Sequence, residues 1–556
     1  MKPPEYNLLD EPWVPVRLLD GTITEVGLLE LLQRSTDIAD LACELPTQNI
    51  AIQRLVLAVA YRVATPLDAE EWLEQLEEGA PIEQMIEYLE KWRERFYLFG
   101  GQYPFMQVAD LRTPKDTVSG LEKLIADVPN GEQFFTTRNG KALERISAAE
   151  AARWVVHTQA YDPSGIRSGA VGDPEVKGGK GYPIGPAWCG QLGLVWLKGK
   201  NFNETLLLNL VPADAGDLKG VPVTTEWDWC TWEVSTPETS ARGNYSRLDP
   251  KGTPRDLSIP KLLTWHSRRI KLIGDSSGVT SVVLAQGDKL APQQMQRYEP
   301  QSLWRYSLPQ SRNHKQDVYM PSKFKAGRAL WRDLPGTLPV CEMITGADKQ
   351  PKREFLQSAV LSFHAELKSS MLAEDYPTQM QIQAVGVTYG PQEATVDDIY
   401  ADELTLSVAM MRAEREDLAA EVDRQVRLTE QVAVRVGMLG ANLARAAGES
   451  GDRAGDGARD RAKEQFFSRI DDPFRAWLAQ VDGRLSAREV GQIWASELRR
   501  YATELGAQLV ASASSSAIIG RDTSWGFMNV SIAENFFRSA LQKLMPNPDN
   551  KQEGMK

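Results

Sequence analysis

The sequence is poor in the residues that build metal and redox sites. Its 556 residues include four cysteines, Cys43, Cys189, Cys230 and Cys341, each isolated from the others. Single thiols scattered through a large chain suit reduced core residues better than a disulfide framework, and without a Cys-x-x-Cys pair there is no zinc ribbon. The four histidines, His157, His266, His314 and His364, belong to no His-x-His or His-Glu-x-x-His pattern. No metal site and no cofactor is expected. There is no run of 18 apolar residues, and the opening Met1–Tyr6 lacks the apolar stretch of a secretion signal, so a cytoplasmic protein with no membrane association is expected. The stretch Gly178-Gly-Lys-Gly-Tyr-Pro-Ile-Gly185 lacks the spacing of a phosphate loop, with Gly181 rather than Ser or Thr after Lys180. No Gly-x-Ser-x-Gly elbow occurs either, and dispersed carboxylates cannot be paired by spacing.

At 42% hydrophobic residues the chain can fill the cores of roughly three or four domains. Its net charge of −12 argues against holding nucleic acid by its overall field. The charge is uneven, however. Residues 241–335 hold 17 Lys/Arg against 7 Asp/Glu, a surplus of +10, which leaves −22 on the remainder. A basic segment in an acidic chain reads as a local anion-binding surface, with an ordinary solvated face as the alternative.

Val14–Val26 reads as two strands joined at Asp20-Gly21, and Ile50–Val63 and Glu70–Arg95 show helical spacing. From about 97 to 350 the periodicity fades. Strands are expected at Leu192–Lys198 and Val279–Ala285, while Tyr161–Gly190, with eight glycines, is expected to be irregular. Trp227, Trp229 and Trp232 lie close together, either as an aromatic platform or as core and surface residues of a strand. Helices are expected again at about 354–372, 401–446, 463–480, 486–509 and 530–544, with a non-helical interruption at Gln381–Val396 and a mobile Gly-rich connector at 448–460. The fold class is therefore α+β: a mixed N-terminal domain with long loops (1–375), a hairpin and connection (376–400), and a C-terminal four-helix bundle (401–556).

The segment Asn7-Leu-Leu-Asp-Glu-Pro-Trp-Val-Pro-Val16 resembles the opening of the CasA large subunits of type I-E CRISPR Cascade complexes. Pro104-Phe-Met-Gln107, Leu121-Glu-Lys-Leu124, Thr158-Gln-Ala160, Leu206-Leu-Leu-Asn-Leu-Val211, Ala329-Leu-Trp-Arg332 and Tyr389-Gly-Pro-Gln392 follow in the family's order. The resemblance implies a non-enzymatic subunit at the 5′ handle of the crRNA. Such a subunit reads the protospacer-adjacent motif in double-stranded target DNA, begins strand separation, and helps recruit a helicase-nuclease. The backbone, handle-binding and small subunits of Cascade are the other implied partners.

Site residues follow from the same resemblance. The family's glycine loop falls at Gly165-Ile166-Arg167-Ser168-Gly169, where small residues let backbone approach a minor groove only ~6 Å wide. Its minor-groove lysine falls at Lys315, with Arg312 close enough to be confused with it. The strand-separating wedge falls at Pro391-Gln392-Glu393, where Gln392 would replace one stacking step, ~1.4 kcal/mol on average. Pro391 stands where relatives often carry Asn. The crRNA-handle loop falls at Phe134-Phe135-Thr-Thr-Arg138-Asn139, with Phe135 either stacking on a base or buried as core. Asp275-Ser-Ser-Gly278 occupies the stretch where some relatives carry zinc-binding cysteines. A scaffold that never touches DNA, or a carbohydrate-active enzyme, are the competing readings.

Overall fold

The computed structural model describes residues 3–128, 138, 143–218, 229–234, 257–338, 343–367, 376–411, 415–524 and 526–546. The chain divides into two compact units, Met1–Glu403 and Leu404–Lys556.

In the first unit, β1 (Val14–Leu18) is the centre of a three-stranded antiparallel sheet between β2 (Ile23–Val26) and β3 (Ile38–Leu41). The β1–β2 turn uses Gly21 at φ 88°, with Asp20 accepting from the Thr22 amide, as the Asp-Gly pair predicts. Helix α1 (Pro46–Ala64) is buried over almost its whole length, because its residues are apolar on nearly every face. Its buried polar residues include Thr47, Gln48, Gln53 and one charged side chain, Arg54. Its guanidinium meets Glu299 through two 2.8 Å bonds, and both side chains are shut off from solvent. Trp188 Nε1, donating to Glu299, and a third bond from Arg54, to Gln301, complete this polar core.

Helix α2 (Ala148–Tyr161) packs on α1 and ends where the glycine-rich stretch begins. Residues 162–188 are irregular, as their glycine content predicts. Strand β4 (Leu194–Lys198) precedes the hairpin β5 (Arg268–Asp275) and β6 (Gly278–Gln286). Strand β7 (Gln379–Tyr389) then pairs antiparallel with β4, placing Ile382 opposite Leu197 and Ala384 opposite Val195. Strand β8 (Val396–Ser407) flanks β7 on the other side.

The expected interruption at 381–396 is thus a long hairpin, and the helix expected from 401 starts later. Residues Tyr400, Leu404 and Leu406 are buried in alternation, a period-2 pattern that continues β8 to Ser407. The helix expected at 354–372 is shorter too, Ala359–Glu366. Of the basic segment, Lys261, Arg268 and Arg269 are buried, so part of its surplus charge is internal.

The second unit contains α3 (Glu416–Ala447), α4 (Asp456–Ala479), α5 (Ala487–Ala511) and α6 (Val530–Leu544). Together with the mixed first unit, this gives the expected α+β class. Glu421, Gln425 and Thr429 recur at helical spacing along α3 and form a polar seam facing α5, where Trp494 Nε1 donates to Thr429 Oγ1 at 2.9 Å. At Gly440 a Cβ would stand 2.7 Å from the Ala458 carbonyl, so the glycine lets α3 and α4 touch. The expected mobile connector at 448–460 is shorter and hydrogen-bonded. Glu449 accepts from the Gly455 amide at 2.9 Å, Arg445 donates to the Ala454 carbonyl at 3.0 Å, and α4 already starts at Asp456.

Candidate nucleic-acid interface

The loop 165–169 is shaped from beneath by ion pairs and backbone bonds. Asp162, the residue after α2, is buried and accepts from both Arg167 and Arg268. Arg268 begins β5 and also donates to the carbonyls of Pro163 at 3.0 Å and Gly185 at 2.8 Å. One guanidinium therefore grips both ends of the glycine-rich stretch. Burial pulls Arg268 below the usual guanidinium range and the adjoining Asp162 carboxylate opposes that shift. The backbone of Arg268 is fixed as well, because the Gln159 amide spans its N–H at 2.8 Å and its carbonyl at 3.0 Å. From the other hairpin strand, Gln286 donates to the Gly165 carbonyl at 2.7 Å.

Within this frame Gly165 faces open space, and Ile166 and Ser168 are exposed. Gly169 differs: it is buried, and a Cβ there would meet the Val176 side chain at 2.6 Å, so its smallness serves internal packing. Arg167 turns back onto Asp162 and lies half-buried. A cleft of about 390 Å³ opens beside the loop, lined by Thr117, Glu122, Thr158, Gly165, Ile166 and Ala394 among others.

Ala394 belongs to the β7–β8 turn, which lies against this loop. The Ser164 amide donates to the Glu393 carbonyl at 2.7 Å, and the Tyr389 hydroxyl donates to the Tyr161 carbonyl at 2.6 Å. Burial raises the Tyr389 phenol well above its ordinary range, so the hydroxyl remains a donor at neutral pH. The Gly390 amide closes the turn on the Thr395 carbonyl at 3.0 Å. Pro391, Gln392 and Glu393 are exposed at the tip. Gln392 and Glu393 have φ of 59° and 57°, left-handed backbone that non-glycine residues adopt at a cost of order 1–3 kcal/mol each. Strain of that kind concentrates where a particular side-chain direction is required.

Two lysines that the sequence did not single out stand nearby. Lys323 Nζ lies 5.6 Å over the Tyr389 ring and 3.9 Å from Glu393 Oε1; burial lowers its ammonium pKa, and Glu393 opposes the shift. Lys289 Nζ donates to the Ile184 carbonyl at 3.3 Å, next to Gly185. Neither carried a motif, so no sequence signal marked them. Lys315 ends the helix Leu308–His314 in left-handed conformation, φ 55°, and both it and Arg312 are exposed. No described hydrogen bond or ion pair joins Lys315 or Arg312 to the loop or the β7–β8 turn.

Of the handle loop, Phe134, Phe135 and Asn139 lie outside the described residues. Arg138 is described and pairs with Glu44 at 2.8 Å, Glu150 at 2.7 Å and Asp127 at 3.4 Å. Asp275–Gly278 is the β5–β6 turn, where Asp275 accepts from the Ser277 amide at 2.9 Å. No group of three or more potential metal ligands occurs among the described residues, and no single described helix is long and apolar enough to cross a membrane.

The family profile described as CRISPR-associated protein Cse1 matches residues 7–505. The chain belongs to the Cse1 (CasA) family. A CasA/Cse1 protein of Thermus thermophilus is 26% identical over 522 residues, 90% of this chain and 91% of that protein. The crystal structure of Thermobifida fusca Cse1 superposes with a TM-score of 0.86 at 36% identity, covering 97% of this chain and 98% of the other. A chain of a solved CRISPR RNA-guided surveillance complex shares the fold, with a TM-score of 0.60 at 18% identity over 92% of this Cse1 chain and 100% of its own.

Proposed function

We propose that this Cse1 protein is the non-catalytic large subunit of a CRISPR RNA-guided surveillance complex in the cytoplasm. In this reading it recognises the protospacer-adjacent motif in double-stranded DNA through the minor groove. It then starts R-loop formation and helps recruit the helicase-nuclease. The observation that carries the reading is the union of glycine loop and wedge turn through Ser164 and Glu393, with Gln392 exposed at the strained tip. Gly165, Ile166 and Ser168 present the groove-facing edge, while Arg167 braces the loop from within. Minor-groove readout is degenerate, so several related motifs should be tolerated.

Gln392 fits a wedge because its amide fills the space of a lost stacking step and can hydrogen-bond exposed base edges. Arg312 and Lys315 supply exposed positive charge for the duplex, and Lys289 and Lys323 supply it closer to the loop and turn. The handle loop around Phe134, Phe135, Arg138 and Asn139 is assigned to the crRNA 5′ handle and the adjoining Cascade subunits by family resemblance.

The test is duplex binding by crRNA-loaded complex with and without this chain, using an intact and a scrambled flanking motif. The expected result is affinity gained only for the intact motif and lost again with Gln392→Ala. Equal affinity for both duplexes would make the chain a scaffold that does not read DNA.

A further inference from the structure

The wedge turn is anchored at both of its ends to one short stretch of chain. At the near end, the Tyr389 hydroxyl reaches the carbonyl of Tyr161, the last residue of α2. At the far end, the Glu393 carbonyl takes the amide of Ser164, three residues further on. The stretch between these two anchors, Tyr161 to Ser164, leads directly into the glycine loop and contains Asp162, the carboxylate that holds Arg167 and Arg268. Room for the Tyr389 hydroxyl comes from Gly190, where a Cβ would collide with the oxygen. Lys323 covers the ring at 5.6 Å. The tip residues themselves are exposed, so their direction is set by these anchors rather than by packing around Gln392.

We infer that Tyr389 is a positioning residue for strand opening: its hydroxyl bond to Tyr161 locks the wedge hairpin to the base of the glycine loop, so that a duplex held by the loop meets Gln392 already in place. The inference rests on the wedge reading of Gln392 and adds the element that orients it. Tyr389 touches no DNA in this scheme. Its contribution is preorganisation, which lowers the cost of inserting a side chain into a stacked duplex and is irrelevant to a duplex that is already open.

Tyr389→Phe removes the hydroxyl and keeps the ring and its packing. The experiment uses crRNA-loaded complex containing the full chain and two duplexes with the same intact motif, one fully paired and one with mismatches replacing the first pairs beyond the motif. Loss of one intramolecular hydrogen bond, net about 1 kcal/mol, should weaken binding to the paired duplex about fivefold. Affinity for the pre-opened duplex should not change. Gly190→Ala, whose added methyl collides with the same hydroxyl, should give the same selective loss. In a double-mutant cycle, Tyr389→Phe should add little once Gln392 is already Ala, because both act in one step.

Equal losses on both duplexes, or fully additive losses in the cycle, would overturn the positioning role. The Gln392→Ala arm separates the two ideas. If that variant weakens paired and pre-opened targets alike, the wedge reading fails and the role of Tyr389 fails with it. If Gln392→Ala is selective and Tyr389→Phe has no effect, the wedge stands and only the positioning inference falls.

Discussion

Asp162→Asn removes a charge and almost nothing else, which makes it a direct probe of the frame beneath the glycine loop. In the native protein the carboxylate faces Arg268, which is 4% exposed, and half-buried Arg167. After the substitution Arg268 keeps the carbonyls of Ser267, Pro163 and Gly185 at 2.8–3.0 Å, but no anion. Stripping one partner from a buried ion pair costs about 3–5 kcal/mol, and the retained carbonyl bonds place this case near about 3 kcal/mol. Arg167, whose side chain is only 12% exposed, loses the same carboxylate and can only add to this cost. For cooperative melting of a 403-residue unit, with an unfolding entropy near 2.1 cal/mol/K per residue, the expected fall in Tm is about 4 °C. Differential scanning calorimetry of the full chain measures it. The same variant should weaken complex binding to motif-bearing DNA more than to scrambled DNA, since Gly165 moves with its frame. A Tm change under about 1 °C would refute the reasoning, because it would mean that water already reaches Arg268 and the carboxylate does not carry the frame.

Acid should destabilise the first unit through its histidines. Burial lowers His364 and His266 to about 4 and His157 to about 3, with Arg269 reinforcing the effect on His266. His364 shows why the neutral ring is preferred: Nε2 donates to the Leu208 carbonyl at 2.9 Å, which leaves Nδ1 to accept from the Tyr376 hydroxyl at 2.9 Å. With folded pKa values below the unfolded ~6.5, the full stability is present above that pH and falls as pH drops toward 4 and then 3. Each group contributes about 1.4 kcal/mol per pH unit in that window. A Tm that holds constant between neutral pH and about pH 5 would contradict this. In the second unit, Gly440→Ala gains about 1 kcal/mol of helix propensity but drives a methyl to 2.7 Å from the Ala458 carbonyl and 2.9 Å from Ala462 Cβ. Overpacking against backbone costs about 1–3 kcal/mol, so net destabilisation is expected in a far-UV thermal melt; a raised Tm would mean that α3 and α4 can separate without loss.

The parts of the fold that could be read in the sequence are those in which one local pattern decides the outcome. Asp20-Gly21 announced its hairpin, and the spacing in α1, α5 and α6 announced helices. The β7–β8 hairpin was partly hidden, because the second half of its outer strand, with charged residues such as Asp402 and Glu403, lies where a helix was expected from 401. Alternate burial of Tyr400, Leu404 and Leu406 shows the true period. At the site, the expectation at Gln392 came from the family resemblance, and the Gly390-Pro391 dipeptide before it indicated only the turn. The contacts of Asp162, Arg268 and Tyr389 could not be read, even though Tyr389 opens a family motif, since residues separated by as many as 228 positions come together only in the folded chain. Even the motif glutamines Gln107 and Gln159 act through the fold. Gln107 bridges the Leu98 carbonyl and the Leu272 amide, both at 2.8 Å, and Gln159 braces the start of β5.

The basic segment carries the same lesson into electrostatics. Its surplus of +10 suggested a surface for phosphate, yet Arg268 spends its charge on Asp162 and on backbone carbonyls, and Arg269 donates to the Gln286 carbonyl at 3.0 Å. Cations used this way cannot release counterions from DNA, so they should not contribute to the salt dependence of binding. Arg312 and Lys315, exposed at the end of a short helix, can. A segment's charge therefore bounds how many phosphate contacts it could make, and the fold decides how many are left once the loop beside them has been built.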